Sequence, residues 1–160
     1  MIKVWKIIKP SKRKTIKQEL KYLKKNGVIL SPWIENIYLN KTNKIKLTKN
    51  TVKLYRIKVK NLGFKKPTTL EKIYKRIKQE NFKLIQPDIA LRTRLLYKGQ
   101  KKGEWLRFAT PFNSMIDADK VPHLPKLGKA LNKLFIETYW SYKKAIFHPH
   151  NEFIVCKNDI

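Results

Sequence analysis

Apolar side chains recur every three to four residues in two stretches of the chain, which is the spacing of one buried helix face. In the first stretch, residues 11–26, the apolar stripe consists of Ile16, Leu20 and Leu23. In the second stretch, residues 68–80, the stripe consists of Leu70, Ile73, Tyr74 and Ile77. We therefore predict two amphipathic helices that each bury one face against a core.

Capping residues support these helices and indicate a third. Gly27 follows the first helix at the position where a left-handed cap residue is favoured. Thr68 precedes Glu71 by three residues, which is the spacing of a capping box and predicts the start of the second helix. Ser31 and Pro32 predict a short helix between the two, because proline fits the first helical turn.

Alternation of apolar and polar positions, together with β-branched residues, predicts strands in the rest of the chain. These segments are 2–9, 51–60, 91–97, 104–109, 133–140 and 152–157. We expect 91–97 and 104–109 to form a hairpin closed by the polar turn 98–103, and the proline-containing segment 110–125 to be irregular. The predicted core of this half includes Leu95, Leu106, Phe135 and Phe153.

The predicted elements give an α+β fold class. Basic amphipathic helices and short strands occupy the N-terminal half, and an antiparallel β-sheet occupies the C-terminal half. Residues 41–50 are polar, rich in lysine and without apolar periodicity, which predicts a linker or loop. We therefore divide the chain into a basic segment 1–40, the linker 41–50 and an α+β domain 51–160.

Charge changes the picture more than any motif. The 160 residues contain 38 Lys and Arg against 11 Asp and Glu, a net charge of +27. A codon bias toward lysine would also enrich acidic residues, so the imbalance indicates a polyanion partner, and nucleic acid is the most common one. Most of the excess lies in residues 1–85.

Several classes of function lack their sequence signals. The single cysteine, Cys156, excludes an intramolecular disulfide and favours the reducing cytoplasm. No run of 18 apolar residues is present to span a membrane. The glycines form neither a dinucleotide fingerprint nor a phosphate loop, so we predict no cofactor.

The predicted helices carry basic faces opposite their apolar stripes. These residues are Lys14, Lys17, Lys21, Lys24 and Lys25 on the first helix, and Lys72, Lys75 and Arg76 on the second. Lysine is a mobile point charge suited to phosphate contacts without base readout. The two faces together are expected to cradle a duplex or a folded RNA.

The predicted hairpin suggests a sharper site. In its register Arg94 lies opposite Arg107, flanked by Arg92 and Trp105. Like charges facing each other destabilise a sheet unless an anion lies between them, and the indole ring is suited to stacking on a base. The alternative is that nearby carboxylates neutralise these arginines, with Glu104, Asp117, Asp119 and Glu137 as the candidates.

A metal centre is a weaker possibility. His148 and His150 share one side of an extended segment, and Asp117 and Asp119 would add oxygen ligands suited to Mg²⁺ or Mn²⁺ in a nuclease. No spacing in the sequence brings the two pairs together.

Six short segments resemble a group of small uncharacterised bacterial proteins. They read WKII at 5–8, LGF at 62–64, EKIYKR at 71–76, LRTRLLY at 91–97, GEWL at 103–106 and MIDAD at 115–119. The similarity covers most of the chain, the other members are less basic, and the resemblance implies no activity.

The sequence as a whole favours a non-catalytic nucleic-acid-binding protein. RNA is favoured over DNA, because no groove-reading module is recognisable and the charge is spread over several elements, as in a ribonucleoprotein component. The alternatives are a small metal-dependent nuclease or toxin, and a binder of an acidic protein or an anionic membrane surface.

Overall fold

The computed structural model describes residues 2–157. Within these residues the chain forms four α-helices, a seven-stranded mixed sheet and a separate two-stranded sheet, which confirms the α+β class. The helices are α1 (Ile16–Lys25), α2 (Pro32–Leu39), α3 (Leu70–Gln79) and α4 (Asp88–Arg94). The strands are β1 (Lys6–Ile8), β2 (Ile29–Leu30), β3 (Val52–Lys58), β4 (Thr68–Thr69), β5 (Leu106–Phe108), β6 (His123–Ala130), β7 (Lys133–Trp140), β8 (Ile146–Phe147) and β9 (Glu152–Cys156).

The large sheet has the strand order β1-β3-β9-β5-β6-β7-β2, and β4 pairs with β8 in the small sheet. Neighbouring strands are antiparallel except for β5 with β9 and β2 with β7. Both edge strands come from the first 40 residues. The N-terminal segment therefore shares one sheet with the rest of the chain.

Helices cover both faces of the sheet. Alternation along β9 directs Ile154 to one face and Phe153 and Val155 to the other. Residues of α1, α2 and α4 pack on the Ile154 face, whereas α3 and the small sheet pack on the Phe153 face. The Leu106 and Phe153 side chains are fully buried as predicted, and Leu95 and Phe135 are half-buried.

The two predicted amphipathic helices are present, with their ends fixed by threonine caps. The Thr15 hydroxyl accepts a hydrogen bond from the Gln18 amide, so α1 begins later than expected. The second cap is Thr69, whose hydroxyl accepts from the Lys72 amide. The start predicted at Thr68 is therefore wrong by one residue: both threonines pair in the small sheet, and the helix begins after the second of them.

The predicted hairpin between 91–97 and 104–109 is wrong. Its first half lies in α4, which is buried on almost every side. A helix enclosed in this way has no polar face, and its buried polar residues interrupt the 3.6-residue period. Asp88, Thr93 and Arg94 are those residues. Arg92 and Arg94, two positions apart, give 91–95 the alternation of a strand.

The actual hairpin joins β6 and β7, and β6 occupies part of the segment predicted to be irregular. Leu131 and Asn132 form its two-residue turn with φ angles of 50° and 59°, the backbone of a type I′ turn. Pro125 concealed this strand. The proline is tolerated because β5 pairs with Lys126 and Leu127 only, so Pro125 lies outside the part of β6 that is paired on both sides.

Candidate nucleic-acid interface

A groove of about 850 Å³ lies between the N-terminus of α1 and residues 40–49. Of the residues that the structure describes, seven basic side chains and no carboxylate line this groove. The basic residues are Arg13, Lys14, Lys17, Lys41, Lys44, Lys46 and Lys49. We refer to these residues and this concavity as the lysine groove.

Side-chain hydrogen bonds fold the segment predicted as a linker into one wall of the lysine groove. The Asn43 amide nitrogen donates to the carbonyl oxygens of Ile37 and Ile116, and its amide oxygen accepts from the Ile116 amide, each at 2.9 Å. At the other end, the amide and hydroxyl of Thr48 donate to the Asp88 carboxylate at 2.6 and 2.7 Å. These anchors leave the intervening lysines directed to solvent.

The carboxylates of residues 2–157 pair mainly with arginine. Arg13 pairs with Glu19, Arg56 with Glu104 and Glu152, Arg76 with Glu80, and Arg92 with Asp88. No lysine of the groove lies within ion-pair distance of a carboxylate in this part of the chain. The lysines of the groove are therefore not neutralised by carboxylates of residues 2–157, whereas Arg13 is paired with Glu19.

The five lysines predicted for the first helix are all exposed, although Lys14 lies just before α1. Lys14 and Lys17 belong to the lysine groove. Lys24 is partly neutralised, because its ammonium lies 2.7 Å from the Glu35 carboxylate. The exposed Lys72 and Lys75 of α3 lie on the opposite side of the sheet. The two basic helix faces are thus separated by the protein core and do not form one cradle, contrary to expectation.

Arg94 is buried and holds α4 against the β6–β7 hairpin. Its guanidinium donates to the carbonyl oxygens of Gly128 and Phe135 at 3.0 Å and of Tyr97 at 2.8 Å. Burial lowers the pKa of Arg94 to about 10. The predicted opposition of Arg94 and Arg107 is wrong, and the Arg94 guanidinium has no access to a ligand.

Arg92 is also engaged inside the protein. Its guanidinium donates to the carbonyl oxygen of Thr48 at 3.2 Å and lies 3.8 Å from the Asp88 carboxylate. Burial lowers the pKa of Arg92, and the negative charge of Asp88 opposes this effect. Arg92 therefore stabilises the wall of the lysine groove from the protein interior, through its hydrogen bond to Thr48.

Arg107 has a lysine rather than an arginine as its cross-strand neighbour. Lys126 faces it in the β5–β6 register, and the Arg107 guanidinium carbon lies 5.4 and 5.7 Å from the ring centres of Tyr139 and Phe147. Burial lowers the pKa of both cations, and the charge of Arg107 lowers that of Lys126 further. The aromatic faces stabilise these two cations.

The carboxylates considered as partners for the predicted arginine cluster lie elsewhere. Glu104 pairs with Arg56 at 3.1 Å, and Asp117 lies 2.8 Å from the ring of His123. Neither Asp119 nor Glu137 forms an ion pair with Arg94 or Arg107. Main-chain carbonyls and aromatic rings fill the role expected of these carboxylates.

The residues proposed for a metal centre do not form one. The rings of His148 and His150 stack on each other with centres 5.6 Å apart, in the turn before β9. Asp117 accepts hydrogen bonds from the amides of Asp119 and Val121 in its own loop. Among residues 2–157, no three His, Cys, Asp or Glu side chains are grouped so that they could hold a metal ion.

The tryptophan predicted to be available for stacking is not the one that is most exposed. Trp105, predicted to stack on a base, is half-buried, with its ring against Gly128 and the Lys126 ammonium 4.5 Å from its centre. Trp33 and Trp140 are 42% and 59% exposed. The exposure of Trp33 could be predicted from the sequence, because this residue lies outside the apolar stripe of α2. That stripe consists of Ile34, Ile37 and Tyr38.

No helix among the described residues has the length and apolar character needed to cross a membrane. Comparisons with protein-family models, with curated proteins and with solved structures each give no match. The lysine groove and the exposed tryptophans are therefore the features from which a function can be inferred.

Proposed function

We propose that this protein binds nucleic acid without catalysis, RNA in preference to DNA, and that the lysine groove contacts the phosphate backbone. The observation that carries the proposal is a concave surface with seven basic side chains, whose lysines have no carboxylate partner among residues 2–157. Each phosphate contact releases condensed counterions, which provides the free energy of binding.

The distribution of the other lysines supports RNA. Apart from Lys6, Lys53, Lys126 and Lys129, which are half-buried, every lysine is exposed. Exposed lysines lie on both sides of the sheet, on α1 and on α3. A DNA-binding module would present one recognition element to one groove. Charge on several faces is better suited to a folded RNA that contacts a protein from more than one side, as in a cytoplasmic ribonucleoprotein.

Fluorescence anisotropy with a labelled RNA tests the proposal. The variant Lys14→Gln, Lys17→Gln, Lys44→Gln, Lys46→Gln removes four charges from the lysine groove. The control variant Lys72→Gln, Lys75→Gln, Lys78→Gln, Lys83→Gln removes the same charge from exposed positions on and just after α3. We expect the groove variant to lose at least tenfold more affinity than the control.

Equal losses of RNA affinity in the two variants would contradict the groove as the interface. If the unmodified protein showed no salt-dependent RNA binding, the proposed function itself would be contradicted. A parallel sedimentation assay with vesicles of anionic lipid distinguishes RNA binding from attraction to any anionic surface. The proposal requires RNA to be bound more tightly than the vesicles at the same ionic strength.

A further inference from the structure

We infer that the bound RNA contacts the protein through a single-stranded segment whose unpaired bases stack on Trp33 and Trp140. This inference rests on the proposed function and adds the strand state of the ligand and a second contact surface. Base stacking on aromatic side chains tolerates any sequence, because every base has a π-face.

The two indole rings border one cleft. It has a volume of about 230 Å³ and is lined by Trp33, His123, Thr138, Tyr139 and Trp140. This volume is below the range of roughly 300–1,000 Å³ of pockets for drug-sized ligands, which suits a single planar ring system. Among the described residues, no Lys, Arg, Asp or Glu side chain lines the cleft, so the face of a base meets a mainly apolar, aromatic surface.

His123 holds the cleft in shape. Its ring meets Trp33 in a T-shaped contact with centres 4.7 Å apart, and it lies opposite Trp140 in the β6–β7 register. Its two nitrogens lie 2.8 Å from the Asp117 carboxylate and 3.2 Å from the Thr138 hydroxyl. A ring fixed at both nitrogens provides a rigid wall, which limits the conformational entropy lost when a base binds.

Helix α2 runs from the cleft, which Trp33 lines, to the lysine groove, which Tyr38 and Leu39 line. Trp33, Asn36 and Asn40 lie on one side of this helix, and Asn40 also lines the lysine groove. A rise of 1.5 Å per residue places Trp33 and Asn40 about 10 Å apart along the helix axis. A strand with bases on the tryptophans thus has its backbone within a few nucleotides of the groove lysines.

Exposed lysines also flank the other side of the cleft. Lys143 and Lys144 follow Trp140 closely in sequence, and Lys144 lines a neighbouring depression together with Trp140 and Tyr142. Positive charge on both sides of an aromatic surface complements a strand that carries phosphates on both sides of each base. Paired bases in a duplex present only their edges, so a duplex satisfies the lysines but not the rings.

The experiment compares a single-stranded RNA of about 12 nucleotides, within the usual range of single-strand site sizes, with a duplex of the same sequence. The variants Trp33→Leu and Trp140→Leu keep apolar bulk but remove the π-face, and Trp33→Phe and Trp140→Phe retain a ring. Leu131→Ala, at an 82% exposed position in the β6–β7 turn, is the control for removal of a surface apolar group.

We expect each leucine variant to weaken single-strand binding about 5- to 150-fold, the range for loss of one stacked base. The phenylalanine variants should recover most of the affinity, and duplex binding should be unchanged. Circular dichroism of each variant confirms that the fold is retained.

Single-strand affinity that is unchanged in both leucine variants, or that falls equally for strand and duplex, would overturn the inference. If the groove variant still loses RNA binding in that case, the proposed function stands and only the stacking surface is wrong. If the groove variant also binds RNA normally, the proposed function itself is wrong.

Discussion

The indole ring of Trp105 lies directly against the backbone of Gly128. A Cβ atom built at position 128 would overlap the ring carbons Cζ3, Cε3 and Cη2. Lys126, two residues before Gly128 on β6, places its ammonium nitrogen 4.5 Å from the centre of the same ring. Trp105 is therefore a packing residue of the sheet, and the small size of residue 128 is what allows it to pack there.

We predict that Gly128→Ala destabilises the protein by about 1–3 kcal/mol, because the ring is displaced from its packing position. Urea denaturation measures the change in the free energy of unfolding. The matched control is Gly99→Ala, since no atom lies within 4 Å of a Cβ at that position. A Gly128→Ala variant as stable as the control would show that the ring relocates without loss.

Replacing Arg94 by glutamine is expected to destabilise the fold by about 3 kcal/mol or more, since the carbonyl oxygens of Gly128, Phe135 and Tyr97 lose their donor in a buried site. Arg76→Gln is the comparison, because its exposed ion pair with Glu80 contributes only about 0.3–0.5 kcal/mol. Chemical denaturation measures the loss in the free energy of unfolding for both variants. Losses of similar size would contradict this account.

Asp117 gives a pH-dependent contribution to stability. Burial tends to raise its pKa, but the hydrogen bonds from His123, Val121 and Asp119 and the charge of His123 lower it overall. A lowered pKa in the folded state stabilises the protein above the unfolded pKa of about 3.9, and this contribution disappears as the pH falls through the folded value. Asp117→Asn should therefore destabilise the protein at neutral pH by roughly 1 kcal/mol, since solvent screens this partly exposed carboxylate.

The difference between Asp117→Asn and the unmodified protein should shrink as the pH falls below about 4, where Asp117 itself becomes neutral. Urea titrations at a series of pH values measure this difference directly, and groups common to both proteins cancel. A difference that stays constant from neutral pH to pH of about 3 would mean that the carboxylate charge does not stabilise the loop.

The salt dependence of RNA binding reports the number of phosphates contacted. For single strands, log K changes with log salt concentration with a slope of about −0.7 per phosphate neutralised. Removing Lys14, Lys17, Lys44 and Lys46 together should flatten the slope by about 3 if each contacts one phosphate. The α3 control variant should keep the original slope, and an identical slope in all three proteins would exclude these lysines from the interface.

Local signals predicted the elements whose pattern repeats within one or two turns. The stripes of α1 and α3 were found because each helix buries one face and exposes the other. The strand β6 and the helix α4 were missed for the opposite reason. Pro125 interrupts one pattern, and full burial removes the periodicity of the other.

The sequence by itself determined the large positive charge, its predominance as lysine, and the α+β class, because composition and short-range periodicity are properties of neighbouring residues. Only the tertiary structure decided which cations face solvent. Arg94 is held in the interior by hydrogen bonds to carbonyl groups 34 and 41 residues away. Residues 40–49 form a wall of the lysine groove because Thr48 donates a hydrogen bond to Asp88, 40 residues away. These contacts depend on how distant segments pack, and no local pattern specifies the partner of a buried polar group.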